Sequence, residues 1–170
     1  MGTKDISLRL EIKSTDAQKI ISWLDNKEVS KYLNEDQNQI YSLEYLIRNN
    51  QTELLQYRLN QDGRFFLIDL GNESIGFLNL FTVRPQKEYE VVIAIGDPEN
   101  WGHKYGYKAL EACMREVFFK WRIEGLNAKI NKENERSLNL FNHLKYSQIK
   151  VGEKYITFQM TFDNYLSTLD

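Results

Sequence analysis

The chain opens with Leu8, Leu10 and Ile12 alternating with Arg9, Glu11 and Lys13, the two-residue period of a half-buried strand. Thr15 followed by Gln18 reads as a capping box, and Ala17, Ile20, Ile21 and Leu24 make one face of the helix that it starts. Val29, Tyr32 and Leu33 predict a short second helix. Asn34 to Gln39 reads as a polar loop, and Ser42 can cap a further helix with a face of Leu43, Leu46, Ile47 and Leu54. Asp62-Gly63 marks a turn. Phe65–Leu70 and Ser74–Val83 read as a hairpin, and Arg84 to Lys87 turns the chain into the strand run Val91–Ile95. Leu110, Cys113, Met114, Val117, Phe118 and Trp121 then recur at helical spacing, with Gly125 as the expected stop. A strand at Leu126–Ile130, a helix at Ser137–Leu144 and strands at Tyr146–Val151 and Tyr155–Phe162 complete the chain. The sum is a mixed α/β (α+β) fold, a single domain over residues 1–170.

One junction carries chemistry. The run Val91–Ile95 ends at Gly96-Asp97-Pro98. A short loop with Gly102 and Gly106 follows, and the long helix starts there. Strand, glycine-bearing loop and helix N-terminus suit a phosphate, because the first N–H groups of a helix lack helical partners and its dipole favours an anion. Gly106 has no Cβ, so its backbone can approach an anion closely. The spacing is not that of a dinucleotide fingerprint, and the Gly-Lys-Ser/Thr of a P-loop is missing. Two glycines before a helix can also be plain turn residues.

Composition narrows the partners. Among 170 residues, 42% are apolar and 27% charged, and the net charge of −2 argues against a nucleic-acid surface. One cysteine, Cys113, and two histidines provide neither a disulfide framework nor a zinc ligand set, so no metal is expected. No run reaches the ~18 apolar residues of a membrane span, and residues 1–10 lack the apolar core of a signal peptide. A soluble, cytoplasmic protein without membrane contact is the expectation.

Taken in order, several segments resemble the GNAT acyl-CoA N-acyltransferases. They look closest to the branch holding ribosomal-protein N-terminal acetyltransferases and many small-amine acetyltransferases. The segments are Leu8-Arg9-Leu10, Asp16-Ala17 through Trp23, Ser74-Ile75-Gly76-Phe77, Tyr89 through Pro98, Trp101 through Tyr107, and Asn134-x-x-Ser137-Leu138-x-Leu140-Phe141-x-x-Leu144-x-Tyr146. The resemblance implies a twisted, mostly antiparallel sheet of six to seven strands flanked by helices. It also implies acetyl-CoA as cofactor, a primary amine (a small molecule or a protein N-terminus) as acceptor, and a monomer or homodimer.

By the same resemblance, Ile93, Ala94 and Ile95 offer backbone to the pantetheine arm. Trp101, Gly102, His103, Lys104, Tyr105, Gly106 and Tyr107 surround the pyrophosphate. Asn134, Ser137 and Phe141 complete the cofactor set, with Asn134 also able to cap its helix. Glu90 stands where the family takes a proton from the amine, although a strand residue alternating with Val91 can simply face solvent. Glu88, on the same strand face, can bind a cationic amine. Trp23 and Tyr32, with Tyr41 and Tyr45, are candidates for the acceptor pocket or for plain core. Two positions depart from the family pattern. Lys104 replaces a glycine, so its backbone either avoids a glycine-only conformation or bears strain. Phe141 replaces a tyrosine that protonates the leaving thiolate, so either the thiolate leaves without that help, or water, Ser137, Tyr105, Tyr107 or Tyr146 takes the role. A protein that binds acyl-CoA without catalysis is the alternative these departures keep open.

Overall fold

The structure is a computed structural model and describes residues 4–33, 45–61 and 63–170. Its elements are β1 (Ile6–Arg9), α1 (Ser14–Asp25), α2 (Lys27–Ser30), α3 (Thr52–Leu59), β2 (Gly63–Leu70), β3 (Glu73–Arg84) and β4 (Glu88–Ile95). They continue with α4 (Tyr105–Arg115), β5 (Gly125–Asn131), α5 (Glu135–His143), β6 (Ser147–Val151), β7 (Tyr155–Thr161) and α6 (Phe162–Thr168). The seven strands run in the order β1-β2-β3-β4-β5-β7-β6. β1–β2, β5–β7 and β6–β7 pair antiparallel, and β4–β5 pairs parallel. This is the mostly antiparallel α/β sheet that the resemblance implied.

The chain divides into two compact units, residues 1–80 with 92–109 and residues 81–91 with 110–170. In the first, α1, α2 and α3 contribute Ile20, Trp23, Leu24, Val29 and Leu55 to a core with Phe65, Leu67, Phe77 and Ala94. The Phe65 and Phe77 rings stack at 5.3 Å. Trp23, one of the acceptor-pocket candidates, is thus core. A Cβ built on Gly96 would lie 2.3 Å from its ring atoms, so Gly96 is the space the indole fills. Gly76 is tighter still, because a Cβ there would come 2.1 Å from the Ala94 carbonyl oxygen.

The expected capping box of Thr15 and Gln18 does not form. The helix is capped two residues earlier, at Lys13, and the Asp16 carboxylate accepts the Lys13 backbone N–H at 2.7 Å. Asp16 wins because it is also held by Arg9, at 2.8 Å, in a network that takes in Asp69 (2.7 Å) and Ser74 (2.6 Å). Burial pushes the Asp16 carboxyl up, but the Arg9 hydrogen bond and the Lys13 N–H outweigh it and hold the group below its ordinary value. Ser42 and Leu43, like Tyr41, the Asn34–Gln39 loop and Asp62, lie outside the described residues. Residues 45–49 are helical, but Leu54 does not continue their face. The helix is interrupted at Asn50–Gln51, α3 begins anew, and it buries Leu55 while Leu54 is exposed.

In the second unit, Arg84 to Lys87 forms the expected turn. Pro85 sits at its second position, Gln86 at φ 64° in the third, and Lys87 N–H closes it on the Arg84 carbonyl. Leu110, Cys113, Met114, Val117 and Phe118 are buried as their spacing required. α4 passes into a π-helical turn at Glu116–Lys120, and Arg122 at φ 56°, rather than Gly125, ends it. Gly125 instead opens β5. The helix α6 was not legible as an element. Its cap is Thr161, whose hydroxyl accepts from Asn164 N–H, and Tyr165 anchors it by stacking on Phe118 at 4.9 Å. That anchor joins residues 47 positions apart, beyond the reach of any local pattern.

Candidate functional site

In the first unit, β4 ends at Ile95 and Gly96 N–H still bonds the Ile75 carbonyl at 2.7 Å. A 3₁₀ turn at Pro98–Asn100 follows, closed by Asn100 N–H on the Asp97 carbonyl. Trp101 then folds back and its indole N–H donates to the Ile95 carbonyl at 3.0 Å. That bond satisfies the last carbonyl of the strand and fixes where the loop departs. Gly102 has φ 82°, a conformation in which L side chains are strained, and among the described residues nothing lies within 4 Å of the space its Cβ would fill.

The Lys104 carbonyl accepts the first bond of α4, from Lys108 N–H at 3.1 Å. The N–H groups of Tyr105, Gly106 and Tyr107 therefore have no partner within the helix, and they carry its positive dipole end. His103 and Lys104 are exposed, and the His103 ring stacks on Tyr105 at 5.4 Å. The open space at Gly102, the three helix-end donors and the adjacent cation Lys104 are a fitting receptor for a diphosphate.

The choice left open at Lys104 resolves to strain. Its φ is 63°, in the left-handed region that costs a non-glycine residue roughly 1–2 kcal/mol. Part of this is offset because glycine loses more chain entropy on folding. Lys104→Gly is expected to stabilise the fold by about 0.5–1 kcal/mol, raising Tm by about 1–4 °C. Calorimetric melting checks this, and an unchanged or lower Tm contradicts it.

The second unit holds the carboxylates. Glu88 is occupied: it accepts from Asn127 Nδ2, from Gln159 Nε2 at 3.3 Å and from Arg84 Nε at 2.7 Å. The Asn127 bond first, and Arg84 second, hold its carboxyl below the ordinary value. This bracing favours a structural role over amine capture. Glu90 differs. It is half-buried at the last pair of the parallel ladder, opposite Asn127. Burial pushes its carboxyl above the ordinary value, while the positive charge of Lys129 pulls the other way.

Asn134 caps α5 by accepting from Ser137 N–H at 3.3 Å, and Ser137 itself is half-buried. Phe141 does not present a surface for a cofactor. It is 1% exposed, T-shaped against Tyr146 at 5.0 Å and stacked on Phe158 at 5.8 Å. The Tyr146 hydroxyl is buried with no hydrogen-bond partner among the described residues, and burial pushes its pKa well up. Tyr32 is half-buried with the Lys31 ammonium 5.1 Å from its ring, and Tyr45 is exposed. Residue types alone did not reveal the bracing of Glu88 or the role of the Trp101 indole. Asn127 and Gln159 are 39 and 71 residues from Glu88, so no local signal announces them.

This arrangement belongs to a known class. The family described as "Acetyltransferase (GNAT) domain" matches residues 7–147. The chain is 30% identical over 135 residues to an N-acetyltransferase 9-like protein of Nematostella vectensis, covering 71% of this chain and 68% of that protein. Among solved structures, a spermidine N-acetyltransferase of Vibrio cholerae in complex with CoA and spermine superposes with a TM-score of 0.74 at 16% identity, over 95% of this chain and 98% of the other. Campylobacter jejuni N-acetyltransferase PseH in complex with acetyl coenzyme A gives a TM-score of 0.66 at 15% identity, over 92% and 99%. The chain belongs to the GNAT acetyltransferase family. Residues 7–147 make up its acetyltransferase domain.

Proposed function

We propose that the chain transfers the acetyl group of acetyl-CoA to a primary amine, a small molecule or a protein N-terminus, by direct attack in a ternary complex, and that residues 1–170 work as one domain. The observation that carries this is Glu90, a half-buried carboxylate with raised proton affinity at the end of the β4–β5 ladder. A protonated amine cannot attack a thioester, and Glu90 takes that proton directly or through water. β4 runs on from Glu90 to Ile95 past the three residue pairs of that ladder. Its backbone at Ile93, Ala94 and Ile95 holds the pantetheine arm and orients the thioester carbonyl. The N–H groups of Gly102 to Tyr107 take the pyrophosphate, and Asn134 and Ser137 contribute from the start of α5. With phenylalanine at 141, the thiolate leaves without a side-chain acid from that position. A thiol of pKa about 8.5 departs adequately to water.

Gly106→Val tests the loop. The substitution sets a branched side chain beside the helix-end donors in the first turn of α4. The acetyl-CoA affinity by calorimetric titration is expected to fall about tenfold or more, a loss of about 1.4 kcal/mol. Tm is expected to stay within a few degrees. Retained affinity would discredit the loop as the diphosphate receptor.

A further inference from the structure

We propose that Lys129 determines acceptor specificity, selecting an amine that carries an anionic group close to its nitrogen; this rests on the role of Glu90 proposed above. The register of β4, β5 and β7 decides which side chains share a face. Glu90 pairs with Asn127, Asn127 with Gln159, and Lys129 with Thr157. Side chains alternate along a strand, so Glu88, Glu90, Asn127, Lys129, Tyr155, Thr157 and Gln159 stand on one face. The other face carries Leu126, Ala128, Phe158 and Met160, all fully buried.

On the polar face the charges are unequal in their commitments. Glu88 is neutralised by Arg84 and bonded by Asn127 and Gln159. Glu90 and Lys129 interact electrostatically, yet among the described residues neither belongs to an ion pair. The Lys129 ammonium rests instead on the Tyr155 ring, 4.6 Å from its centroid. This cation–π contact holds the charge in place without neutralising it.

From strand spacing, the Cα atoms of Glu90 and Lys129 are about 8 Å apart, one strand across and two residues along. A short bifunctional molecule is of a size to lie between two side chains rooted that far apart. An amine at Glu90 with a carboxylate or phosphate a few bonds away reaches Lys129 and gains a charge-assisted bond there. A polycation meets a like charge at the same point and is disfavoured. Physically, Lys129 gives the face a positive element that a polyamine acceptor would not require.

The test compares acetyl-CoA-dependent thiol release with matched acceptors: glycine against ethylamine, phosphoethanolamine against ethanolamine, peptides with glutamate against glutamine as second residue, and spermidine. The wild-type chain is expected to favour the anionic member of at least one pair by about tenfold or more in kcat/KM, and to disfavour spermidine. The pair that responds tells carboxylate from phosphate and a free amine from a peptide. Lys129→Met is expected to abolish that preference mainly through KM, and Lys129→Arg to keep it. A preference unchanged in Lys129→Met, or a wild-type chain that favours spermidine or the neutral amines, overturns the proposal while leaving acetyl transfer intact. Absence of turnover with every acceptor overturns both this proposal and the function it rests on.

Discussion

Glu90→Gln is expected to lower kcat/KM for acetyl transfer by about 100-fold or more below pH 7, the lower end of what a positioned general base supplies. Acetyl-CoA affinity is expected to stay within a few-fold, because the side chain acts on the amine. The wild-type rate falls as pH drops through the Glu90 pKa, since only the carboxylate accepts a proton. Burial raises that pKa, so the fall sets in nearer neutrality than for an ordinary glutamate. The stability effect has the opposite sign. A carboxyl whose folded pKa lies above its unfolded value favours the fold while both states are protonated, and loses that advantage as pH rises through the folded pKa. At pH 7 the buried charge therefore opposes folding, and Glu90→Gln is expected to melt at the same temperature as the wild type or higher, with the gain vanishing toward pH 4. Loss of rate without loss of Tm separates a functional residue from a structural one. Unchanged kinetics would remove Glu90 from the mechanism.

Gly76→Ala is expected to be the most damaging single-methyl addition in the first unit. Its Cβ would lie 2.1 Å from the Ala94 carbonyl oxygen and 3.0 Å from the Ile95 Cα, both of them backbone atoms that no rotamer change can move. β3 or β4 must shift, and overpacking of this kind costs about 1–3 kcal/mol or more. For a chain of 170 residues, about 3 kcal/mol lowers Tm by about 6–12 °C. Gly102→Ala is the contrast. The space at Gly102 is open, so only its φ of 82° resists, and a smaller loss is expected. Thermal melting of the two variants decides it. A Gly76→Ala protein within about 1 kcal/mol of the wild type contradicts the close approach of the strands.

What sequence periodicity could reveal was governed by distance along the chain. The strands β2, β3, β5 and β7 and the buried stripe of α4 announce themselves because pattern and burial are local. The start of α1 did not, since the choice of Asp16 as the capping carboxylate depends on Arg9, Asp69 and Ser74 from three strands. The break between residues 45–49 and α3 was hidden because Leu54 and Leu55 are equally apolar and only the fold decides which is buried.

Of the candidate site, residue order made legible the strand end, glycine-bearing loop and helix start from Ile95 to Tyr107 and the place of Glu90 on β4. Phe141 was misleading: its spacing places it correctly on α5, but phenylalanine without a hydroxyl packs into the core with Tyr146 and Phe158. Lys129 could not be singled out, because its partner Tyr155 lies 26 residues away and only the β5–β7 register joins them.

The measurement that bears most directly on the central claim is a calorimetric titration of the protein with acetyl-CoA, ATP and NAD in parallel. Acetyl-CoA is expected to bind with a Kd on the order of micromolar, selectively over the other two nucleotides. Absence of acetyl-CoA binding, or a preference for ATP or NAD, would contradict it: the Gly102–Tyr107 loop would then be a structural turn, and acetyl transfer by this chain would lose its physical basis.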